Sequence, residues 1–181
     1  MNSEVLIDEL LAVTQSNLKE AQGFQNLSDR QLKWKPSDDR WNILECIEHL
    51  NRYGEFYIPE IQRQIQSSRF AKSSQFKSGF LGNYFVKMIL PNEKSKKMKT
   101  FPSMNPIDSD LDRRVLDTFI EQQESLMELL AKARDTDLTK VKTSISISKW
   151  LRLRLGDTLR VVIYHNLRHI LQAKNLVQNL A

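Results

Sequence analysis

Residues 157–176 run Asp157-Thr-Leu159-Arg-Val-Val162-Ile163-Tyr-His165-Asn166-Leu167-Arg-His169-Ile170-Leu171-Gln172-Ala-Lys-Asn-Leu176, and this stretch decides the fold class. Leu159, Val162, Ile163, Leu167, Ile170, Leu171 and Leu176 fall on one broad helical face, with no glycine or proline to interrupt it. Asp157 stands where a helix cap is expected. Working outward, three more long helices follow from the same reasoning. Ile7, Leu10, Leu11, Thr14, Leu18 and Ala21 predict a helix over residues 4–22 that ends at Gly23. Asn42 with Glu45 forms a capping pair for a second helix to about residue 67, with Pro59 expected to kink it or remove one backbone bond. Leu111, Val115, Phe119, Gln122, Leu126, Leu129 and Ala133 predict a third helix over residues 109–134.

The intervening segments have a different texture. Ser28 with Gln31 has the capping-box form for a short helical turn before Trp34 and Pro36, while Trp34, Pro36 and Trp41 are the expected plug at one end. Residues 68–107 predict a long, irregular and partly mobile crossover between the second and third long helices, containing a short helix near Phe80–Leu90 and a basic cluster, Lys94–Lys99. Residues 144–155 alternate apolar with polar in a period of two, and with no second clear strand they predict an extended segment lying on the helices. The resulting fold class is all-α, one domain over residues 1–181.

Composition limits the function classes. The chain of 181 residues carries 27 basic and 22 acidic residues, a formal charge of +5 that no single helix concentrates, so nucleic-acid binding is permitted and not indicated. Stretches free of Asp, Glu, Lys and Arg reach nine residues at most, against about 20 for a bilayer-spanning helix. The acidic start Met1–Leu11 predicts a helical first turn and not a secretory signal. One cysteine, Cys46, makes no internal disulfide, which fits a cytoplasmic protein.

Three histidines occur: His49, His165 and His169. The last two are four residues apart on the best-defined helix, a spacing that projects two imidazoles side by side and suits metal chelation. His49 lies on the apolar face of the second helix. A single histidine on such a face is more often a hydrogen-bonded core residue, but three inward imidazoles supply the three-ligand set of catalytic zinc sites, with a position left for water or substrate. Glu45 is a candidate to orient His49 or act as a base, although its cap explains it equally; Tyr53 is a candidate hydrogen-bond donor to substrate, with core packing as the plainer role. Gln172 and Asn166 are candidates to support the imidazoles. Cys46 is read as a small buried hydrophobe. No phosphate-cradling glycine loop or serine elbow is present in the sequence.

The segments Leu32-Lys-Trp34-Lys-Pro36, Trp41-Asn-Ile-Leu-Glu45-Cys-Ile-Glu-His49-Leu50 and His165-Asn-Leu-Arg-His169-Ile-Leu-Gln172 resemble, in order and spacing, the DinB/YfiT-like family of metal-dependent enzymes. The resemblance implies a left-handed four-helix bundle of up-down-down-up topology. It also implies a divalent metal (nickel, zinc or iron in different members) on three histidines, which map to His49, His165 and His169. Family activities include transfer of low-molecular-weight thiols such as bacillithiol and a mycothiol-dependent maleylpyruvate isomerase. Asn166 stands where relatives often carry an acidic residue, so no carboxylate role carries over there. The expected function is thiol S-transfer from a small-molecule thiol to an electrophilic substrate, ahead of metal-dependent hydrolysis; the competing class is a non-catalytic binding or stress-response bundle with a structural or incidental metal. Apolar surface at Ile145–Leu155 and Phe80–Phe85 predicts a homodimer.

Overall fold

The computed structural model describes residues 1–90 and 100–179; the basic cluster Lys94–Lys99 lies outside the described residues. The described chain is mostly helical, compatible with the all-α class, and contains six α-helices: α1 (Ser3–Phe24), α2 (Asp29–Leu32), α3 (Ile43–Gln66), α4 (Phe80–Ile89), α5 (Arg114–Ala133) and α6 (Leu155–Gln178). A short 3-10 helix, Pro102–Met104, precedes α5. Among the long helices, α1 packs against α5 and α6, and α3 also packs against α5 and α6.

Local chemistry explains the helix starts. The Asn2 side chain accepts from the Glu4 and Val5 amides (2.8 and 3.2 Å), satisfying donors that a helix start leaves free. Both capping boxes form: Ser28 with Gln31 before α2, and Asn42 with Glu45 before α3. α1 runs one residue past Gly23, because Phe24 is buried in the core and keeps the last turn wound. α3 continues through Pro59. α5 starts at Arg114 and not at Ser109. The chain before it is held in an irregular path, with Asp108 in the left-handed region (φ 62°), its amide donating to the Glu45 carboxylate at 3.2 Å, and Asp112 receiving the Arg114 amide.

Two expectations are corrected. The alternating segment is a β-hairpin: β1 (Lys142–Ile145) pairs antiparallel with β2 (Ser148–Arg154), Thr143 opposite Leu153 and Ser144 opposite Arg152. One unbroken run of alternation had hidden the two-residue turn at Ser146-Ile147. The hairpin is tied to the helices by Glu60, whose carboxylate accepts the Ser144 amide (2.7 Å), and by the Thr143–Thr158 hydroxyl pair (2.6 Å). Asp157 does not cap α6, which begins at Leu155 without a side-chain cap. Its fully buried carboxylate accepts from the Ser78 hydroxyl (2.5 Å) and the Gly79 amide (2.7 Å), anchoring the crossover on α6. Gly82 makes this approach possible, since a Cβ there would fall 2.2 Å from the Asp157 carboxyl carbon.

The described crossover is otherwise well tethered. Ser3 donates to the Ser74 carbonyl and Phe76 to the Met1 carbonyl (3.0 and 2.9 Å), and α4 packs on α6. Arg52 of α3 donates to the Asn105 carbonyl at 3.0 Å, holding the segment after the 3-10 helix.

The core falls into two apolar clusters, one around Leu6, Leu10, Leu126 and Leu159, the other around Ala21, Ile47, Phe119 and Ile170. Every long helix passes from one cluster to the other through buried polar residues: Thr14 and Asn17 on α1, Asn51 on α3, Gln123 on α5 and Asn166 on α6. A polar belt therefore divides the core, and His49 and His165 lie at its level on their helices. Replacing Asp157 by Ala should remove the acceptor of the Gly79 amide and the Ser78 hydroxyl and lower the unfolding free energy by about 1–2 kcal/mol, as measured by urea denaturation.

Candidate metal centre

His49 is buried on α3, while His165 and His169 project from successive turns of α6 and are half-buried. The three rings meet pairwise, with centroids 5.0 Å (His49–His165), 4.6 Å (His49–His169) and 4.8 Å (His165–His169) apart. One ring nitrogen from each histidine lies within 4.8 Å of those of the other two. Helical spacing dictates the His165–His169 pair; the packing of α3 on α6 adds His49.

Hydrogen bonds set the tautomers. His49 donates from Nδ1 to the Met104 carbonyl (2.7 Å), so in the neutral ring Nε2 is an acceptor. That Nε2 lies 3.2 Å from Nε2 of His165. His169 donates from Nδ1 to Gln172 Oε1 (2.9 Å), which frees its Nε2 as well. All three imidazoles are held uncharged. Burial, opposed in part by the Met104 hydrogen bond and aided by Arg52, pushes His49 down to about 4. Burial, followed by its neighbour His49, pushes His169 down to about 3. Burial, with His169 and His49 as further causes, holds His165 well below its ordinary value.

This donor set fits a divalent metal. Neutral imidazoles are the form that coordinates, and nitrogens held about 2.0–2.1 Å from a tetrahedral ion stand about 3.4 Å apart, a separation the His49–His165 pair nearly has. The outward N–H groups of His49 and His169 are oriented by a carbonyl and an amide oxygen, the usual support for metal-bound histidine.

The other sequence candidates separate. Gln172 meets the cluster through His169. Tyr53 packs edge-on to His49 and His165, with centroids 5.1 and 4.8 Å away. Its phenol is pushed up from the usual value by burial and then by Tyr57, and it has no hydrogen-bond partner among the described residues. Asn166 turns instead to Gln123, donating at 3.3 Å. Glu45 is absorbed by its cap, by Lys35 (2.7 Å) and by the Asp108 amide, and is not among the residues grouped with the histidines. Cys46 is fully buried in the second apolar cluster, where burial pushes its thiol up.

Two participants escape sequence reasoning. Met104 contributes only a backbone carbonyl, which has no side-chain signature. Trp41, expected as a plug, lies tilted against His49 and His169 with ring centroids 4.7 and 5.7 Å away, while its indole donates to Asn105 (3.1 Å). Its position just before the Asn42 cap was the available signal.

Open space adjoins the cluster on two sides. An apolar cavity of about 130 Å³ borders His165 and Tyr53. A wider groove of about 710 Å³ includes Trp41 and Gln172 together with Arg40 and Arg168. A family model described as the DinB superfamily matches residues 10–173. No curated protein and no solved structure matches the chain.

The neutral imidazoles give a pH signature. Below about 6.5 the unfolded chain takes up protons that the folded histidines refuse, so stability is complete above that pH and falls until about 4 for His49 and about 3 for His169. Urea unfolding of metal-free protein should lose about 1.4 kcal/mol per pH unit for each histidine that stays neutral, with a shallower slope in His165→Gln.

Proposed function

Because the chain belongs to the DinB superfamily, we propose that it is a divalent-metal-dependent enzyme whose ion is held by His49, His165 and His169. The superfamily is metal-binding, and nickel, zinc and iron all suit the nitrogen donors. The observation that carries the reading is the convergence of three imidazoles whose charged form burial disfavours, two of them, His49 and His169, with the outward nitrogen already hydrogen-bonded. A structural zinc usually takes four protein ligands, yet no carboxylate or thiol joins the three histidines among the described residues.

Thiol S-transfer is the reaction we favour, ahead of metal-dependent hydrolysis. A divalent ion with only neutral ligands keeps its full charge and lowers the pKa of a bound thiol or water. The groove beside Trp41 and Gln172 offers Arg40 to the carboxylates that cellular thiols commonly carry. On the other side, Tyr53 keeps its proton and is available as a hydrogen-bond donor to the electrophile. Sulfur then bonds to the electrophilic carbon as the leaving group departs with its electron pair. Trp41 and Tyr53 cover opposite parts of the cluster and limit access of bulk water.

The reading includes the up-down-down-up bundle. In support, Arg134 after α5 pairs with Glu4 and Asp8 at the start of α1, whereas Arg113 before α5 reaches Leu27 after α1. Glu9 and Glu20 of α1 meet Tyr164 and Lys174 of α6 in the same order. His49 and Tyr53 of α3 meet His169 and His165 in reverse order. We also propose a homodimer through α4 and the hairpin, where Phe80 and Trp150 are 89% and 94% exposed.

Metal analysis of purified protein should find about one ion per chain, and His165→Ala should lose most of it; equal content rejects the ligand set. Metal-loaded protein screened with cellular thiols against a panel of electrophiles should turn over, and His169→Ala should not. Arg40→Ala should raise KM several-fold for a carboxylate-bearing thiol and leave KM for 2-mercaptoethanol unchanged. Sedimentation equilibrium at micromolar concentration should give twice the 21.2 kDa chain mass.

A further inference from the structure

We propose that the cavity beside His165 binds an uncharged, apolar group the size of a single aromatic ring, which makes the electrophilic substrate a small aromatic or branched-alkyl compound. The inference rests on the proposed metal-centre reading only in presenting that group to the histidines. The cavity lies where α3, α4, the hairpin and α6 meet, and its wall includes Tyr53, Phe85, Met88, Leu153, Val162 and His165. No Asp, Glu, Lys or Arg lines it among the described residues. A charged group placed inside would lose its hydration without gaining a counter-charge, which is strongly unfavourable.

The little polar capacity in the wall is mostly committed. The Tyr57 hydroxyl oxygen accepts from the Ser146 amide at 3.2 Å and lies 3.3 Å from the Ser146 hydroxyl. The Asn166 amide donates to Gln123. His165 and Tyr53 remain, both beside the imidazole cluster. A ligand therefore orders itself by polarity: its one polar or reactive atom sits toward His165 and Tyr53, and its hydrocarbon body fills the space between α4 and the hairpin. The volume of about 130 Å³ sets the body's size, since an apolar protein cavity of about 150 Å³ stays dry and takes up benzene. The carboxylates of a low-molecular-weight thiol are excluded from this side and left to the basic groove across the cluster.

The test uses metal-free full-length protein, so it does not depend on any ion. Fluorobenzene and benzyl alcohol are titrated with 19F and methyl NMR detection, and benzoate serves as the charged analogue of the same size. The expected result is binding of the neutral rings about tenfold or more tighter than benzoate, given the cost of burying an unpaired charge. Shifted valine, leucine and isoleucine methyl signals should be confined to Ile89, Ile145, Ile147, Leu153, Val161 and Val162. Val162→Phe, which fills the cavity, should abolish binding. His169→Ala, which lines no part of the cavity, should retain it. Because Val162→Phe risks misfolding, the wild-type methyl shifts locate the ligand independently. No binding of the neutral rings, equal binding of benzoate, or shifts scattered outside the cavity overturns the proposal. Ring binding that persists in metal-free protein and in His169→Ala supports the cavity assignment even where the metal reading fails, and retained metal without ring binding overturns the cavity alone.

Discussion

Two imidazole nitrogens facing each other at 3.2 Å, both drawn from neutral rings inside a protein, form the constraint around which the rest is arranged. His49 spends its only proton on the Met104 carbonyl, so its inner nitrogen presents a lone pair to His165. Such a pair is satisfied by a proton on His165 or by a cation, and burial disfavours any additional positive charge on the rings themselves. The neighbourhood supports this state. Arg52 clamps the segment that carries Met104, Trp41 lies against two of the rings, and Gln172 holds the third.

The core is divided at the level of these imidazoles. A helix assembly with one continuous hydrocarbon interior would leave imidazoles without polar neighbours at its centre. Here all four long helices carry buried polar residues between the two apolar clusters, and Gln123 and Asn166 bond across α5 and α6. The belt is incompletely satisfied: both polar atoms of Asn17, Oδ1 of Asn51 and Nε2 of Gln123 have no partner among the described residues. Retaining such groups costs stability relative to leucines, which sets the belt apart from residues selected for packing alone.

The crossover and the hairpin do more than connect helices. One places a backbone carbonyl on His49, the other walls the apolar cavity beside His165, and Asp157 anchors the crossover to the helix bearing two of the three imidazoles. The histidines therefore sit between spaces of opposite character, apolar on the Tyr53 side and basic on the Trp41 side.

Local rules in the sequence were sufficient for the long helices, both capping boxes and the spacing of His165 and His169, because these depend on residues three or four apart. The convergence of His49 with that pair was legible only as shared inwardness and through the family resemblance. The start of α5, the anchoring role of Asp157 and the hairpin were not legible. Asp157 looked like a cap because its partners lie 78 and 79 residues away, and residues 144–155 looked like one extended segment because a two-residue turn leaves the alternation unbroken. Glu45 shows the converse: its cap was readable, but its engagement with Lys35 and Asp108, which takes it out of the site, was not. Sequence alone thus determined which side chains are chemically able to act and which local faces carry them. Tertiary structure decided which of them meet, since hydrogen bonds to a distant carbonyl and the burial that neutralises an imidazole exist only after remote segments have packed.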